Sequence, residues 1–297
     1  MDLAIFNWLK GLSADPDNRV LQGNLALAYL QRNDLERGVT ELEKLVAKNP
    51  EDITTLSNLG VAYLKNKQYA KAAEFLEKAL KKKMNPGPPA PSADERGSAL
   101  LDEVSEAMIR LNLGAAYINL NQYVNALEEL EKARDLDPKI LEVHQNLAQA
   151  YLHLERNEDA IKEIQEALRY KKDDPYLYAF LGQAYAAMGK SNEAVQAAKE
   201  GLRYTSRDSL AVMLHRNIGI TYLNQRRYAE ALDAFNAALN LQWKDADTHA
   251  FIGMLYAQTG KKDEAIRSLK TALEIDDHHA NAKKFLAMIE GKTPPNS

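Results

Sequence analysis

The chain contains no cysteine. Disulfides, thiolate metal sites, iron–sulfur clusters and a cysteine nucleophile are therefore excluded. Glycine and proline are sparse, 14 and 10 in 297 residues, which leaves too few turn signals for an all-β fold. No apolar run approaches the ~18 residues of a membrane span, so no membrane insertion is expected. The first twelve residues lack the basic start and cleavage site of a secretory leader, and a cytoplasmic location is the default expectation. Neither charge sign dominates: 38 Lys+Arg against 42 Asp+Glu leave a net charge of -4. That balance excludes a nucleic-acid polycation and gives no pull towards acidic membranes. Glycine-rich phosphate loops and paired-carboxylate motifs are not evident, so neither cofactor nor catalysis is expected. What the chain does have is 45% hydrophobic and 27% charged residues, the balance of a folded protein rather than a disordered one.

It also has an internal period. A small residue precedes a tyrosine by three positions seven times: Ala26/Tyr29, Gly60/Tyr63, Gly114/Tyr117, Ala148/Tyr151, Gly182/Tyr185, Gly219/Tyr222 and Gly253/Tyr256. Counted from tyrosine to tyrosine, the spacings run 34, 54, 34, 34, 37 and 34. Nine residues after each comes another small residue: Gly38, Ala72, Ala126, Ala160, Ala194, Ala231 and Ala265. Aliphatic and small positions such as Leu56, Leu59, Gly60 and Tyr63 recur at helical spacing. Small residues let two helix backbones approach, and one hairpin cannot bury its apolar face alone, so neighbours must stack.

The pattern resembles the tetratricopeptide repeat (TPR), a 34-residue helix–turn–helix with small residues where helices cross. The resemblance covers residues 19–279, interrupted by one long insert and one of three residues. The family's tryptophan at position 4 is absent, and several repeats lack the closing proline. The implied fold is all-α, a right-handed superhelical solenoid of antiparallel helix pairs. Residues 19–86 form repeats 1–2 and residues 107–279 repeats 3–7. Residues 1–18 fit a half repeat, since Pro16 falls one repeat length before Pro50 and Ala4 and Gly11 take the small positions. Its face of Ile5, Phe6, Trp8, Leu9 and Leu12 is read as a cap on the first repeat, with truncation of a longer array or self-association as the alternatives. Residues 280–297 read as a capping helix with a tail, Phe285, Leu286 and Ile289 inward and Lys283 and Lys284 outward. Residues 87–106 are a Pro-rich insert and helix extension, with Ser92-x-x-Glu95 as a capping box. Pro86-x-x-Pro89 is either a polyproline ligand or, the preferred reading, a tolerated loop. The short insert near Ser209 lengthens a helix by about one turn.

Repeats can be numbered from Arg19, Ile53, Ala107, Leu141, Pro175, Val212 and Ala246. Positions 3, 7, 8, 10 and 11 then form the core stripe at ~100° per residue, and positions 2, 6, 9 and 13 lie opposite. Of those 28 opposite positions only Lys65, Glu142 and Asp247 are charged, and twelve are apolar. The second helices instead carry charge runs such as Lys71, Glu74 and Lys78. A low-charge face turned away from the core marks a contact surface; in the resembled family it lines the concave groove. Position 6 is Asn24, Asn58, Asn112, Asn146 and Asn217 in five repeats. Asparagine offers a donor and an acceptor, so it can pair with a peptide backbone whatever the guest's side chains. Gln149 and Gln183 continue this polar set. Leu27, Val61, Met108 and Leu111, then Tyr176, Phe180, Met213 and Ile220, are the expected apolar contacts, with Arg216 beside them. Each hydrogen bond nets ~0.5–1.5 kcal/mol against ~1–2 kcal/mol to order each guest residue. The apolar positions must therefore supply most of the affinity.

The two-carboxylate clamp by which some repeats of this family hold acidic chaperone C-termini needs Lys at position 5 and Asn at position 9. Position 5 here is never Lys and position 9 never Asn, so that partner is not expected. The expected function is a non-catalytic scaffold or adaptor that binds a protein or peptide. Two alternatives stand: a filament or large-assembly adaptor like the repeat domain of kinesin light chain, acting through its outer surface, and a regulatory subunit of an enzyme complex. His144, His215 and His249 share position 4 and read as packing residues. The run Asp276-Asp277-His278-His279 has no partner motif for a metal. Lys81–Lys83 and Arg226-Arg227 read as solvated helix ends.

Overall fold

The computed structural model of the chain describes residues 2–85, 104–205 and 209–291. These residues form helices and turns, with no strand among them. Two compact units divide the chain, Met1–Leu154 and Glu155–Ser297. In the first lie α1 (Asp2–Ala14), α2 (Arg19–Gln31), α3 (Leu35–Lys48), α4 (Ile53–Lys65), α5 (Tyr69–Met84), α6 (Glu106–Asn119), α7 (Tyr123–Leu136) and α8 (Leu141–His153). The second holds α9 (Asn157–Tyr170), α10 (Pro175–Ala187), α11 (Ser191–Leu202), α12 (Ser209–Asn224), α13 (Tyr228–Leu241), α14 (Ala246–Gln258), α15 (Lys262–Ile275) and α16 (Ala280–Glu290). Within each unit, helices adjacent in sequence pack as hairpins, most extensively α2 on α3, α4 on α5, α6 on α7, α10 on α11, α12 on α13 and α14 on α15.

The small residues set how closely the pairs approach. A Cβ on Gly60 of α4 would lie 2.5 Å from Leu76 Cγ of α5, and one on Gly219 of α12 would lie 2.5 Å from the Phe235 ring of α13. Leu76 and Phe235 are fully buried. Each thus fills the space its partner glycine leaves, which is the close packing of a protein interior. The first helices start where side chains can cap them: Asn18, Asp52 and Ser105 accept from the backbone N–H three residues on. Ser105 sets the start of α6 at Glu106. Pro86-x-x-Pro89 and Ser92-x-x-Glu95 lie outside the described residues. Residues 206–208 are also outside them, and α12 has 16 residues against 13 in α10.

The turn between first and second helix places repeat position 15 in the left-handed region every time. Asn33, Lys67, Asn121, Glu155, Gly189, Arg226 and Gly260 have φ between +58° and +77°. The next residue's N–H donates to the tyrosine carbonyl five residues back, for example Gln68 to Tyr63 at 2.9 Å and Lys261 to Tyr256 at 2.9 Å. This closes the helix end in a Schellman-like cap. The periodic tyrosine therefore marks the helix C-terminus as well as filling the gap.

At the ends, Ile5 of α1 is buried against Leu25, Ala28 and Tyr29 of α2, with Trp8 and Leu12 packed beside it. Phe285, Leu286 and Ile289 of α16 pack on Ala250, Leu269 and Ala272, while Lys283 and Lys284 are exposed. Gly291 ends α16 in the left-handed region, with φ 71°.

Candidate functional site: an accessible stripe on the first helices

A helix that packs on both sides leaves one narrow strip free, and on the first helices that strip is positions 2, 6, 9 and 13. No residue on it is buried. In the first unit it presents Asn24 and Leu27 on α2, Asn58 and Val61 on α4, Met108 and Asn112 on α6, and Asn146 and Gln149 on α8, all half-buried except the exposed Met108. In the second unit it presents Tyr176, Phe180 and Gln183 on α10, Met213, Asn217 and Ile220 on α12, and Phe251 and Met254 on α14. Phe251 and Met254 belong with the site residues by the same register. Phe251 is held by stacking on buried Phe235, ring centroids 5.8 Å apart.

Two expected members are placed elsewhere. Leu111 is buried, only 6% exposed. It stands at position 5, which turns towards neighbouring helices, and Gly23, Ser57, Ala179 and Ala250 at that position are buried too. Arg216, also at position 5, is half-buried and committed to carboxylates: its Nη1 lies 3.0 Å from both Asp245 oxygens and 3.0 Å from Asp247 Oδ2. Asp247 Oδ1 also lies 3.1 Å from His279 Nε2. Arg216 is thus a tie among α12, α14 and α16 rather than an open cation.

The asparagines divide as well. Asn112 donates from Nδ2 to Met108 O at 2.8 Å, a bond back to its own helix. One of its two N–H donors is thereby used within its own helix. Asn24, Asn58, Asn146 and Asn217 have no side-chain hydrogen bond to another described residue. Their amides are therefore open for a guest.

Position 4 builds the floor behind the stripe. His144 Nε2 lies 2.8 Å from Pro138 O, Tyr178 Oη donates to Lys172 O at 2.9 Å, and His249 Nε2 lies 3.0 Å from Trp243 O. Each fastens the loop that precedes its own helix, so these histidines are structural. Burial pushes the imidazole of His215, at the same position, below its ordinary pKa. Arg110 occupies position 4 of α6, 4% exposed, paired to Glu129 and, at 2.7 Å, to Glu106. A buried guanidinium with two carboxylates is satisfied and offers nothing to a ligand.

A second set of contacts lies outside the repeat pattern read above. Tyr63 Oη of α4 donates to Glu43 of α3, Tyr117 Oη of α6 to Glu77 of α5 at 2.7 Å, and Tyr151 Oη of α8 to Glu131 of α7 at 2.6 Å. Each joins one repeat to the preceding one. Burial, then the facing glutamate, pushes the Tyr63 and Tyr117 phenols far above their ordinary pKa. A signal for them exists in the sequence. Glu43 precedes Tyr63 by the same interval as Glu131 precedes Tyr151, and Glu77 precedes Tyr117 by that interval plus the long insert.

Tetratricopeptide repeat profiles match residues 24–89, 117–183, 175–208 and 209–278. The chain belongs to the tetratricopeptide repeat family. Among solved structures, it is similar to a TPR protein from Parabacteroides merdae ATCC 43184, at TM-score 0.70 and 15% identity over 91% of this chain and 97% of that one. It is also similar to a chain of the APC/C Cut9–Hcn1 hetero-tetramer, at TM-score 0.66 and 19% identity over 96% of this chain. This TPR chain spans about half that relative's length, 52%. A thermophilic TPR protein of Thermus thermophilus matches at TM-score 0.55 and 22% identity, over 62% of this chain and 98% of its own. At these identities the likeness is one of fold. No curated protein matches the sequence. No helix among the described residues is long and apolar enough to cross a membrane. Asp276, Asp277 and His278 come together on an exposed loop between α15 and α16, and nothing else there points to an ion.

Proposed function

We propose that this TPR protein is a non-catalytic interaction scaffold that binds a segment of a partner protein along the stripe of its first helices. The observation that carries the reading is the accessibility of that stripe combined with its composition: 28 open positions and three charges. A solvated face with no partner carries charge near the chain average, as the second helices do. The open amides of Asn24, Asn58 and Asn146 suit the backbone of an extended guest. The rings and thioethers of Tyr176, Phe180, Met213, Phe251 and Met254 suit apolar side chains, which supply most of the free energy at ~1.5–3 kcal/mol per side chain buried.

The test is affinity capture from source extract with three baits: the intact chain, N24A/N58A/N146A, and F180S/M213S. Melting curves establish first that each variant is folded. Partners captured by the intact chain and lost by the stripe variants support the reading. Partners retained equally by all three overturn it and move the binding face to the outer surface of the second helices.

A further inference from the structure

The second helices of the seven full repeats share an outer stripe at positions 19, 22 and 25. On α3 these are Arg37, Thr40 and Glu43, on α5 Lys71, Glu74 and Glu77, and on α15 Glu264, Arg267 and Lys270. With Asn125, Glu128 and Glu131, Asp159, Lys162 and Gln165, Glu193, Gln196 and Lys199, and Glu230, Asp233 and Asn236, all 21 positions are polar and none is buried. The helix α1 occupies the same register, and its three positions are Leu3, Phe6 and Leu9. They are 73%, 62% and 44% exposed.

The usual explanation for an apolar face at the end of a solenoid is a missing neighbour in the array. It fails here. Those positions stay open in every repeat whose first helix is present, so a first helix packed on α1 would leave Leu3, Phe6 and Leu9 in water. The inward face of α1 is already used, Ile5, Trp8 and Leu12 lying against α2. The apolar residues form one short row spaced i, i+3, i+6, and the matching row on neighbouring α3 is polar. A membrane surface is a poor match. Helices that lie in the interface carry lysines and arginines on the polar face, and α1 has one, Lys10.

The sequence of α1 is instead complementary to itself. A two-fold axis through Phe6 sets Phe6 against Phe6 and Leu3 against Leu9. An isologous contact requires this self-matching. We infer that α1 is a homodimerisation helix, its Leu3–Phe6–Leu9 row packing antiparallel on the same row of a second copy. This inference is independent of the peptide-binding stripe, which lies on the first helices. Two such helices bury less than the ~800 Å² per partner of a standard interface. The dimer should therefore be reversible and dissociate on dilution.

Sedimentation equilibrium of the full chain between about 1 and 300 µM tests it. The expected result is a weight-average mass that climbs from monomer towards dimer. F6E should weaken association at least tenfold with an unchanged helical melt, because Phe6 supports little of the fold. Leu3→Glu and Leu9→Glu should each weaken association too, because the two-fold sets one against the other. A monomer throughout the range overturns the inference, as does a dimer indifferent to F6E. A monomer that binds anionic vesicles in a Phe6-dependent way also overturns it, in favour of a membrane surface.

Discussion

The two units are built from the same repeat and join their repeats differently. In Met1–Leu154 three tyrosines at position 11 reach back to a glutamate on the preceding second helix. In Glu155–Ser297 the acceptor position holds Gln165, Lys199 and Asn236, and Tyr185, Tyr222 and Tyr256 face no carboxylate there. The accessible stripes differ in parallel. The first is an asparagine row interleaved with Leu27 and Val61, and the second adds the rings of Tyr176, Phe180 and Phe251 and the thioethers of Met213 and Met254. The polar ladder thus sits on repeats fastened by charge-assisted hydrogen bonds, which are directional. The second stripe sits on repeats that lack these tyrosine bonds and are joined by packing and, between α12 and α14, by Arg216 with Asp245 and Asp247. A fixed row of amides must match a guest backbone in register, whereas flexible Met-rich surfaces accommodate different guests.

The largest effect should come from packing, on which both units depend. Gly219→Val drives a branched side chain into the Phe235 ring and should cost about 3 kcal/mol. Hydrogen exchange should show α12 and α13 loosening while α4 and α5 keep their protection. Gly23 is the control, since a Cβ there meets nothing within 4 Å; Gly23→Ala should stabilise by up to about 1 kcal/mol, as a better helix former.

Next in size is the tyrosine set itself. Replacing Tyr63, Tyr117 and Tyr151 together by Phe should cost about 1 kcal/mol per bond, measured by denaturant unfolding. The same change at Tyr185, Tyr222 and Tyr256 should cost almost nothing. Equal losses in the two units would erase the comparison. The pH dependence follows from the same groups. Tyr63 and Tyr117 have pKa values raised by folding. Their stabilisation is complete below the unfolded tyrosine value of ~10 and declines as pH rises above it. Melting of the first unit should therefore fall above pH ~10, and these phenols should ionise last in an ultraviolet titration.

The smallest effects lie in the turns. Lys67, Glu155 and Arg226 hold the left-handed conformation with a Cβ, and glycine there relieves strain at some cost in unfolded-chain entropy. Each substitution should raise stability by about 0.5 kcal/mol, in both units alike. Gly189→Ala and Gly260→Ala should lower it by about 1 kcal/mol, because both glycines have φ above +70°.

The first helices were readable because their periodicity is strict. Starts at Arg19, Ile53, Leu141, Pro175 and Ala246 follow from counting one repeat length at a time, with caps at Asn18, Asp52 and Asp174. The side-chain choices at the margin of that stripe were not readable in the same way. Position 5 sits between the two faces of a helical wheel, and neighbouring helices decide that Leu111 is buried and Arg216 is paired. Asn112 turning back to Met108 O is a rotamer choice that no spacing encodes. Phe6 and Leu9 look like Ile5 and Trp8 in sequence, and only the packing of α1 on α2 separates the covered row from the open one. The Tyr–Glu bonds link different repeats, so the recurring Glu-to-Tyr interval acquires its meaning only once the helix pairs are stacked.

The most direct measurement is hydrogen exchange on the full chain with its captured partner bound and free. The account predicts new protection on the first helices, α2, α4, α6, α8, α10, α12 and α14, centred on the asparagine and aromatic positions, with the outer faces of α3, α5, α7, α9, α11, α13 and α15 unchanged. Protection confined to those second helices would contradict it and place the binding face on the opposite side of every repeat.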